Sequence, residues 1–420
     1  MGSSPLQMSV YQQVTTELYG SLDSHGNYWW QTSGYLLAAL LRDAGYPASS
    51  QQHILTFFGR TVVPHMGVTY NPHSPQWRSF MTDDHHPIEL SWDWHAGQKP
   101  PTVRFSVEPV GVHAGTSLDA HNEQVNASFH RALIHALPET NMKWFRHFDR
   151  ELTPQGPGGL MEEGENHPSK IFYAFDFNAT TITSKAYFFP AFKARVTNRT
   201  NLLVVCDVIA RAPQCAPSQL NALRVFEDFV TDQSTPQLEI DMLAIDMNPP
   251  AASRLKIYFR NRATSFASVR QMMTLGQRVT HPRMNGGLSC LRKLWDALLD
   301  QEGVSDAQPL PETNHRTAGL LYNIELHPGS AEPPKVKIYI PVRHYAVCDD
   351  RIISAVHDYI GSVERNGGGL KHDYADTMRR MFQPSALQQR GLHTYIGCSV
   401  QASGELRVVS YVNGQGHKMV

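Results

Sequence analysis

Apolar positions along this chain recur with two periods. In YWWQTSGYLLAALLRDAGYP, Trp30, Leu37, Leu40, Leu41 and Ala44 fall at helical spacing and Gly45 and Pro47 supply the stop, predicting a helix with one buried face. The same period marks SLDAHNEQVNASFHRALIHAL, SQLNALRVFEDFVT, CLRKLWDALLDQEG and DRIISAVHDYIGSVE. Between these stretches lie short segments of strand character: IELSWDW, TVRFSVEP, KIFYAFDF, KAYFFPAF, RLKIYFR, LLYNIELH, KVKIYIPV, HTYIGCSV and LRVVSYV. Helices and strands alternate over the whole length. The Gly/Pro-rich stretches TPQGPGGLMEEGENHP and HPGSAEPP read as loops inside one unit, so residues 1–420 are expected to form a single domain, as long barrels do.

Strand side chains alternate faces, so each segment can be read by parity. In RLKIYFR, Arg254, Lys256 and Tyr258 share one face while Leu255, Ile257 and Phe259 share the other. The pattern returns with Lys185 and Tyr187 in SKAYFFP, with Lys337 and Tyr339 against Ile338 and Ile340 in KVKIYIP, and with Arg104 against Val103 and Phe105 in TVRFSVE. A single such strand is ordinarily half exposed, its polar face in water. Repetition points elsewhere: if helices cover the apolar faces, the polar faces line a common lumen, as in a closed barrel.

Arg and Lys side chains in a confined, low-dielectric space form an anion site suited to a diphosphate, whose charge they hold before and after its bond to carbon breaks. The interleaved tyrosines offer hydroxyl donors and electron-rich ring faces for a carbocation. IELSWDW adds Glu89, Ser91 and Asp93 to the polar faces. Glu89 could accept the proton of an indole N–H or a phenol O–H, or serve as the partner of a lumenal arginine; the residues alone leave both open.

Composition narrows the field. Lys plus Arg total 37 against 38 Asp plus Glu, so no general basic field exists for nucleic acid or an anionic membrane. The five cysteines, Cys206, Cys215, Cys290, Cys348 and Cys398, show neither a CxxC pair nor a Cys/His metal spacing, and a reduced, cytoplasmic setting is expected. The N-terminal MGSSPLQMSVYQQ lacks signal-peptide character, and no apolar run reaches the ~18 residues of a membrane span. Asp228 and Asp232 in DFVTD, and Asp349 and Asp350 in CDDR, read as solvated helix faces, not as Mg²⁺ motifs. Asp83, Asp84, His85 and His86 read as a loop shaping an entrance near Glu89, not as a zinc site. There is no P-loop, GxGxxG after a strand or GxSxG elbow, and MNGGL and NGGGL read as turns.

From YWW to LRVVSYV, the ordered segments PIELSW, VRFSVEP, WFRHFDREL, SKAYFFPAFK, SRLKIYFRNRATSF and KIYIPVRHY resemble the fungal dimethylallyltryptophan synthase family of aromatic prenyltransferases. That resemblance implies an α+β fold in which α-β-β-α units build a ten-stranded antiparallel β-barrel ringed by helices. It implies Arg104, Lys185, Arg254, Lys256 and Lys337 as prenyl diphosphate ligands, with relatives often carrying glutamine at the last position. Tyr187, Tyr258, Tyr339 and Tyr411 correspond to a shield around the allylic cation, and Glu89 to the catalytic glutamate that holds the ring. Phe80, Met81, Glu89 and Phe172 are assigned to the acceptor.

Two departures bear on substrate. Phe172 stands where tryptophan-specific relatives carry a rearomatising lysine, and QLEIDMLAID offers Glu239 and Asp241 but no arginine for a free carboxylate, so a larger neutral acceptor is expected in preference to free tryptophan. The implied reaction is Friedel–Crafts-type transfer of a dimethylallyl or longer prenyl group to an indole, such as a tryptophan-containing cyclic dipeptide or an indole alkaloid. A hydroxylated aromatic polyketide is the alternative acceptor, and a noncatalytic isoprenoid-diphosphate carrier the alternative of another class. No cofactor or Mg²⁺ is expected, the diphosphate being a co-substrate. The partners are these two small molecules, with neither nucleic acid nor membrane, in a monomer or homodimer.

Overall fold

Each segment read as a strand forms one, and one more joins them. A computed structural model of the chain describes residues 8–94, 100–153, 167–178, 181–215, 220–364, 374–414 and 418–419. The strands are β1 (Ile88–Trp94), β2 (Thr102–Val107), β3 (Ile171–Phe177), β4 (Ile182–Phe188), β5 (Glu239–Asp246), β6 (Leu255–Asn261), β7 (Leu320–Leu326), β8 (Lys335–Ile340), β9 (His393–Val400) and β10 (Leu406–Asn413). All pair antiparallel with their sequence neighbours, and β1 pairs with β10 to close the barrel. The fold is thus the α+β, ten-stranded barrel that the resemblance implies.

β5 escaped the sequence reading for a physical reason. Its register shifts between Ile240 and Met242, and its inner face carries the apolar Met242 and Ala244, so neither strict alternation nor a polar stripe marks it.

Helices lie between successive hairpins and cover the outer wall. The predicted helices appear over Gln124–Ala136, Asn221–Val230, Met284–Leu299 and Asp349–Glu364. WFRHFDREL lies in the helix Lys143–Leu152, which buries Trp144, Phe145, Phe148 and Leu152 along one stripe. The first helical block is interrupted: Ser24–Trp29 and Tyr35–Asp43 flank a widened turn over Trp30–Gly34, where a Cβ on Gly34 would lie 2.8 Å from the Trp30 ring. Gly45 follows at φ +78°, the left-handed conformation that ends a helix.

The principal core lies between the helices and the outer face of the sheet, and contains Phe105, Phe175, Phe188, Ile257, Phe259 and Ile338. A second, smaller cluster of Met81, Phe172, Met242, Ala244, Tyr258, Leu321 and Tyr339 lies inside the barrel. Because helices cover the outside, both faces of β1 are buried, with Asp93 at 0% and Glu89 at 8% exposure. A water-facing polar stripe is thereby excluded for this strand.

Two readings are corrected, the first being MNGGL, which is no turn but opens the helix Met284–Leu299. Asp349 is not on a solvated helix face: it is fully buried, accepting from the Leu392 and His393 N–H groups and from the His393 ring, which ties the helix to β9. Asp350 beside it pairs with Arg379 at 2.9 Å, and Asp228 is exposed. HPGSAEPP is a loop between β7 and β8, whereas most of TPQGPGGLMEEGENHP and all of NGGGL lie outside the described residues. Among the described residues, no helix is long and apolar enough to cross a membrane.

Candidate active site

Inward parity on ten staggered strands sorts the lumenal side chains into three levels. At one end of the barrel, near the start of the even-numbered strands, lie Arg104, Lys185, Arg254, Lys256 and Lys337. The structure brings together these five predicted cations and adds Arg407, whose guanidinium reaches Asp93 at 2.5 Å. Their carboxylate partners escaped the sequence reading, apart from Asp93. Arg104 pairs with Asp93 and, at 2.8 Å, with Asp176, which also holds Lys185. Arg254 lies 2.6 Å from Asp246 and 3.2 Å from Glu325, and Lys256 lies 3.5 Å from Glu325.

Six cations against Asp93, Asp176, Asp246 and Glu325 leave two positive charges when Lys337 is protonated. Asp176 is held well below the ordinary carboxylate range, Arg104 and Lys185 overcoming the opposing effect of burial. Burial brings Lys256 down to about 8 and Lys337 well below its ordinary value. An arriving diphosphate would meet a floor of cations already oriented by carboxylates, and its charge would favour the protonated form of both lysines.

Above the floor, four tyrosines form a ring. Centroids of Tyr187 and Tyr258, Tyr258 and Tyr339, and Tyr339 and Tyr411 are 5.8, 5.7 and 5.6 Å apart. Asn323 donates to the Tyr339 hydroxyl at 2.8 Å, and Lys337 donates to that of Tyr411 at 2.9 Å. The Lys337 ammonium lies 4.4 Å from the Tyr339 ring centroid and 5.1 Å from that of Tyr411, so these faces already accommodate a cation. Gly397 makes this possible, since a Cβ there would lie 2.6 Å from Lys337 Cε. Burial raises all four phenols, which keeps them neutral.

At the opposite mouth sits Glu89. A register shift where β9 meets β10 lets the Thr394 hydroxyl donate to its carboxylate. Burial lifts Glu89 to about 7, a rise that this hydrogen bond and the nearby Arg343 oppose. Glu89 makes no ion pair among the described residues. Phe172 stacks on Tyr187 at 4.2 Å and 14°, and on Phe80 at 5.8 Å, while Met81 is buried in the same lumenal cluster. The loop carrying Phe80 is anchored by Glu108, which accepts from Trp77 at 3.0 Å, Ser79 at 2.5 Å and Ser169 at 2.7 Å. Burial lifts Glu108 to about 7 against these three donors.

The absence of arginine from QLEIDMLAID does not leave its surroundings without one. Register pairs Glu239 with Arg260, Arg260 meets Asp241 at 2.9 Å, and Arg316 lies 4.8 Å over the Phe80 ring. Long-range pairing brings these arginines beside β5.

Asp83 does sit at the mouth, but with partners far away in sequence. It receives Arg343 at 2.7 Å and Thr317 at 3.0 Å, and groups with His315 and His344, whose ligand atoms and its own lie within 4.8 Å of one another. Such a set could hold a metal. The Thr317 hydroxyl, however, contacts all three, 2.8 Å from either histidine, and Arg343 brings a positive charge against the carboxylate. These contacts describe a hydroxyl-centred hydrogen-bond network.

Much of this was available by extending the parity rule. Asp176 follows Phe172 and Ala174 on β3, Glu325 follows Asn323 on β7, Arg260 follows Tyr258, and Arg407 precedes Tyr411 by four. Thr394 carried no such signal, because only a bulge turns it toward Glu89.

Known proteins share this architecture. The family model for tryptophan dimethylallyltransferase matches residues 25–377. The chain is 36% identical to 4-O-dimethylallyl-L-tyrosine synthase of Claviceps purpurea, over 93% of this chain and 88% of that one. It is 29% identical to 7-dimethylallyltryptophan synthase of Aspergillus fumigatus, over 98% and 90% respectively. The crystal structure of AnaPT from Neosartorya fischeri superposes with a TM-score of 0.82, covering 98% of this chain and all of that one at 24% identity. That of NotF with brevianamide F and DMSPP gives 0.80, covering 97% and 99% at 23% identity, which is a likeness of fold. The chain belongs to the tryptophan dimethylallyltransferase family and is an aromatic prenyltransferase.

Proposed function

We propose that the chain transfers a dimethylallyl group from its diphosphate to the phenolic oxygen of a tyrosine-type acceptor. Arg104, Lys185, Arg254, Lys256 and Lys337 bind the diphosphate, and no metal ion or cofactor is needed because these cations neutralise its charge. The C1–O bond of the donor breaks with its electron pair leaving on diphosphate. Tyr187, Tyr258, Tyr339 and Tyr411 shield the resulting allylic cation, their ring faces stabilising it and their bulk excluding water. The phenolic oxygen supplies the pair that forms the new C–O bond, and its proton passes to Glu89.

The observation that carries this reading is the pairing of Glu89, a carboxylate lifted to about 7, with Phe172, which offers no basic atom. Each alkylation releases one proton: O-alkylation of a phenol from the heteroatom, C-alkylation of an indole from ring carbon, with the N–H retained. A Glu89 carboxylate near pH 7 is well matched to the former. The relative that is 36% identical carries tyrosine in its name, in the same direction. An indole acceptor, first expected from the sequence, is the second reading, favoured by the 29% identical tryptophan synthase. Competing L-tyrosine and L-tryptophan for limiting donor separates them: an excess of O-prenyltyrosine supports the proposal, and exclusive indole alkylation overturns it.

A further inference from the structure

We propose that Tyr374 and His393 are positioning residues for the base: with Asp349 and Ser410 they form a clamp behind the sheet that holds the shift between β9 and β10 by which Thr394 reaches Glu89. The proposal rests on Glu89 as the base and not on the acceptor being a phenol.

The shift is local. Leu406 to Ser410 pair in step with Val400 to Ile396, but Val412 pairs with His393, so Thr394 and Tyr395 together face Tyr411. Tyr395 keeps the inward side, its ring centroid 6.2 Å from that of Tyr339. The extra residue, Thr394, also turns inward, reaching Glu89 on β1 and the Tyr411 carbonyl at 3.3 Å. A bulge interrupts the ladder, and backbone groups buried beside it need other partners. Asp349, the first residue of the helix Asp349–Glu364, supplies them: its two oxygens accept from the Leu392 N–H at 3.1 Å and the His393 N–H at 2.7 Å.

From there a chain of hydrogen bonds runs on. Asp349 bonds the His393 ring at 2.7 Å, the other ring nitrogen bonds the Tyr374 hydroxyl at 2.6 Å, and that hydroxyl meets Ser410 Oγ at 2.6 Å. Asp349, His393 and Ser410 are fully buried, as is all but 2% of Tyr374. A buried polar group that loses its partner cannot turn to water instead, so the four fix one another's positions. Tyr374 opens the helix Tyr374–Met381, and its ring stands edge-on to Trp94 and Trp92 of β1, with centroids 4.8 and 5.6 Å away. One side chain thus ties β1, β10 and β9, the adjacent strands that carry Glu89, Tyr411 and Thr394. Ser410 adjoins Tyr411 and His393 adjoins Thr394, so the clamp reaches the lumen through one peptide on each strand.

Besides Thr394, the groups that act on Glu89 are Arg343, Asp83, Lys337 and Tyr411, in the lumen or at its mouth. The test is the pH profile of kcat/KM for the full-length enzyme with dimethylallyl diphosphate and, in parallel, L-tyrosine or L-tryptophan. It compares wild type, Tyr374→Phe, Thr394→Val and the double variant. Tyr374→Phe keeps the ring against Trp92 and Trp94 but loses both bonds of the hydroxyl. Its acidic limb should move up by about half a pH unit, part of the shift in Thr394→Val, with the plateau above it within about threefold of wild type. Added to Thr394→Val it should move the limb by less than about 0.2 unit further, because it acts through a bond already lost. A limb that moves in Thr394→Val but not in Tyr374→Phe would overturn the clamp and leave the base standing. Equal shifts with and without Thr394 would also overturn it, assigning the effect to the other groups around Glu89. An unmoved limb in Thr394→Val would remove the base and the clamp together. Should Tyr374→Phe not fold, Ser410→Ala, which deletes one bond of the chain, carries the same comparison.

Discussion

Thr394 donates its hydroxyl proton to the carboxylate of Glu89, although β10 lies between their two strands. This bond favours the ionised carboxylate, whereas burial favours the neutral acid, and the balance lies at about 7. A hydrogen bond to a charged group contributes about 1.5 kcal/mol, or about one pKa unit. Thr394→Val should therefore move the acidic limb of the kcat/KM profile from near pH 7 toward about pH 8. Thr394→Ser should return it. An unmoved limb in Thr394→Val would detach the profile from Glu89.

Glu89→Gln should lower turnover by about 10²–10⁴-fold, the usual contribution of a positioned base. Donor affinity, measured by calorimetry with an unreactive diphosphate analogue, should stay within about twofold of wild type, since the carboxylate lies at the other end of the lumen. Stability should move the opposite way. Because the folded-state value of about 7 exceeds the ordinary 4.5, ionising this carboxyl opposes folding: the cost is absent below pH 4.5, grows as pH rises, and is complete above about 7. Glu89→Gln should accordingly raise the unfolding midpoint at pH 8 and leave it nearly unchanged at pH 4.

Arg254 engages Asp246 and Glu325; its removal takes from Asp246 its 2.6 Å ion pair, while Glu325 keeps Lys256 at 3.5 Å. Arg254→Ala should weaken donor binding by more than about 10-fold, beyond the loss of its own contact. Adding Asp246→Asn should recover part of that loss. Calorimetry on both variants measures the coupling, and no recovery in the double variant would mean that Asp246 does not act on the donor site.

The tyrosine ring separates two effects at one position. Tyr339→Phe keeps the ring face and loses the hydroxyl contacts with Asn323 and Tyr258, so transfer should fall by only a few-fold. Tyr339→Ala opens the cage to water and should divert donor to dimethylallyl alcohol. The ratio of alcohol to prenylated acceptor, read by chromatography, should rise at least about tenfold in Tyr339→Ala relative to Tyr339→Phe. Equal ratios would deny the cage its shielding role.

The lumen was legible because a barrel strand carries its function at period two. Arg254, Lys256 and Tyr258 announced an inward polar face on β6, and the repeat in β2, β4 and β8 turned an ambiguous strand pattern into a barrel. Burial patterns of single residues were not legible in this way: Asp349 looks like a surface aspartate until β9 packs over it. Nor were the features made by register. The β5 bulge at Asp241 and the shift that presents Thr394 break the alternation on which the reading depends. The cavity at the mouth assembles β5, β6, the Phe80 loop and the loop before β7, segments far apart in the sequence.

Metal-free transfer to a phenolic oxygen is tested most directly by incubating the purified enzyme with dimethylallyl diphosphate, L-tyrosine and excess EDTA, then assigning the product by NMR. The account predicts stoichiometric diphosphate and a dimethylallyl group on the tyrosine oxygen, at a rate within about twofold of that without chelator. Activity lost to EDTA and restored by Mg²⁺, or a product alkylated only on carbon, would contradict it.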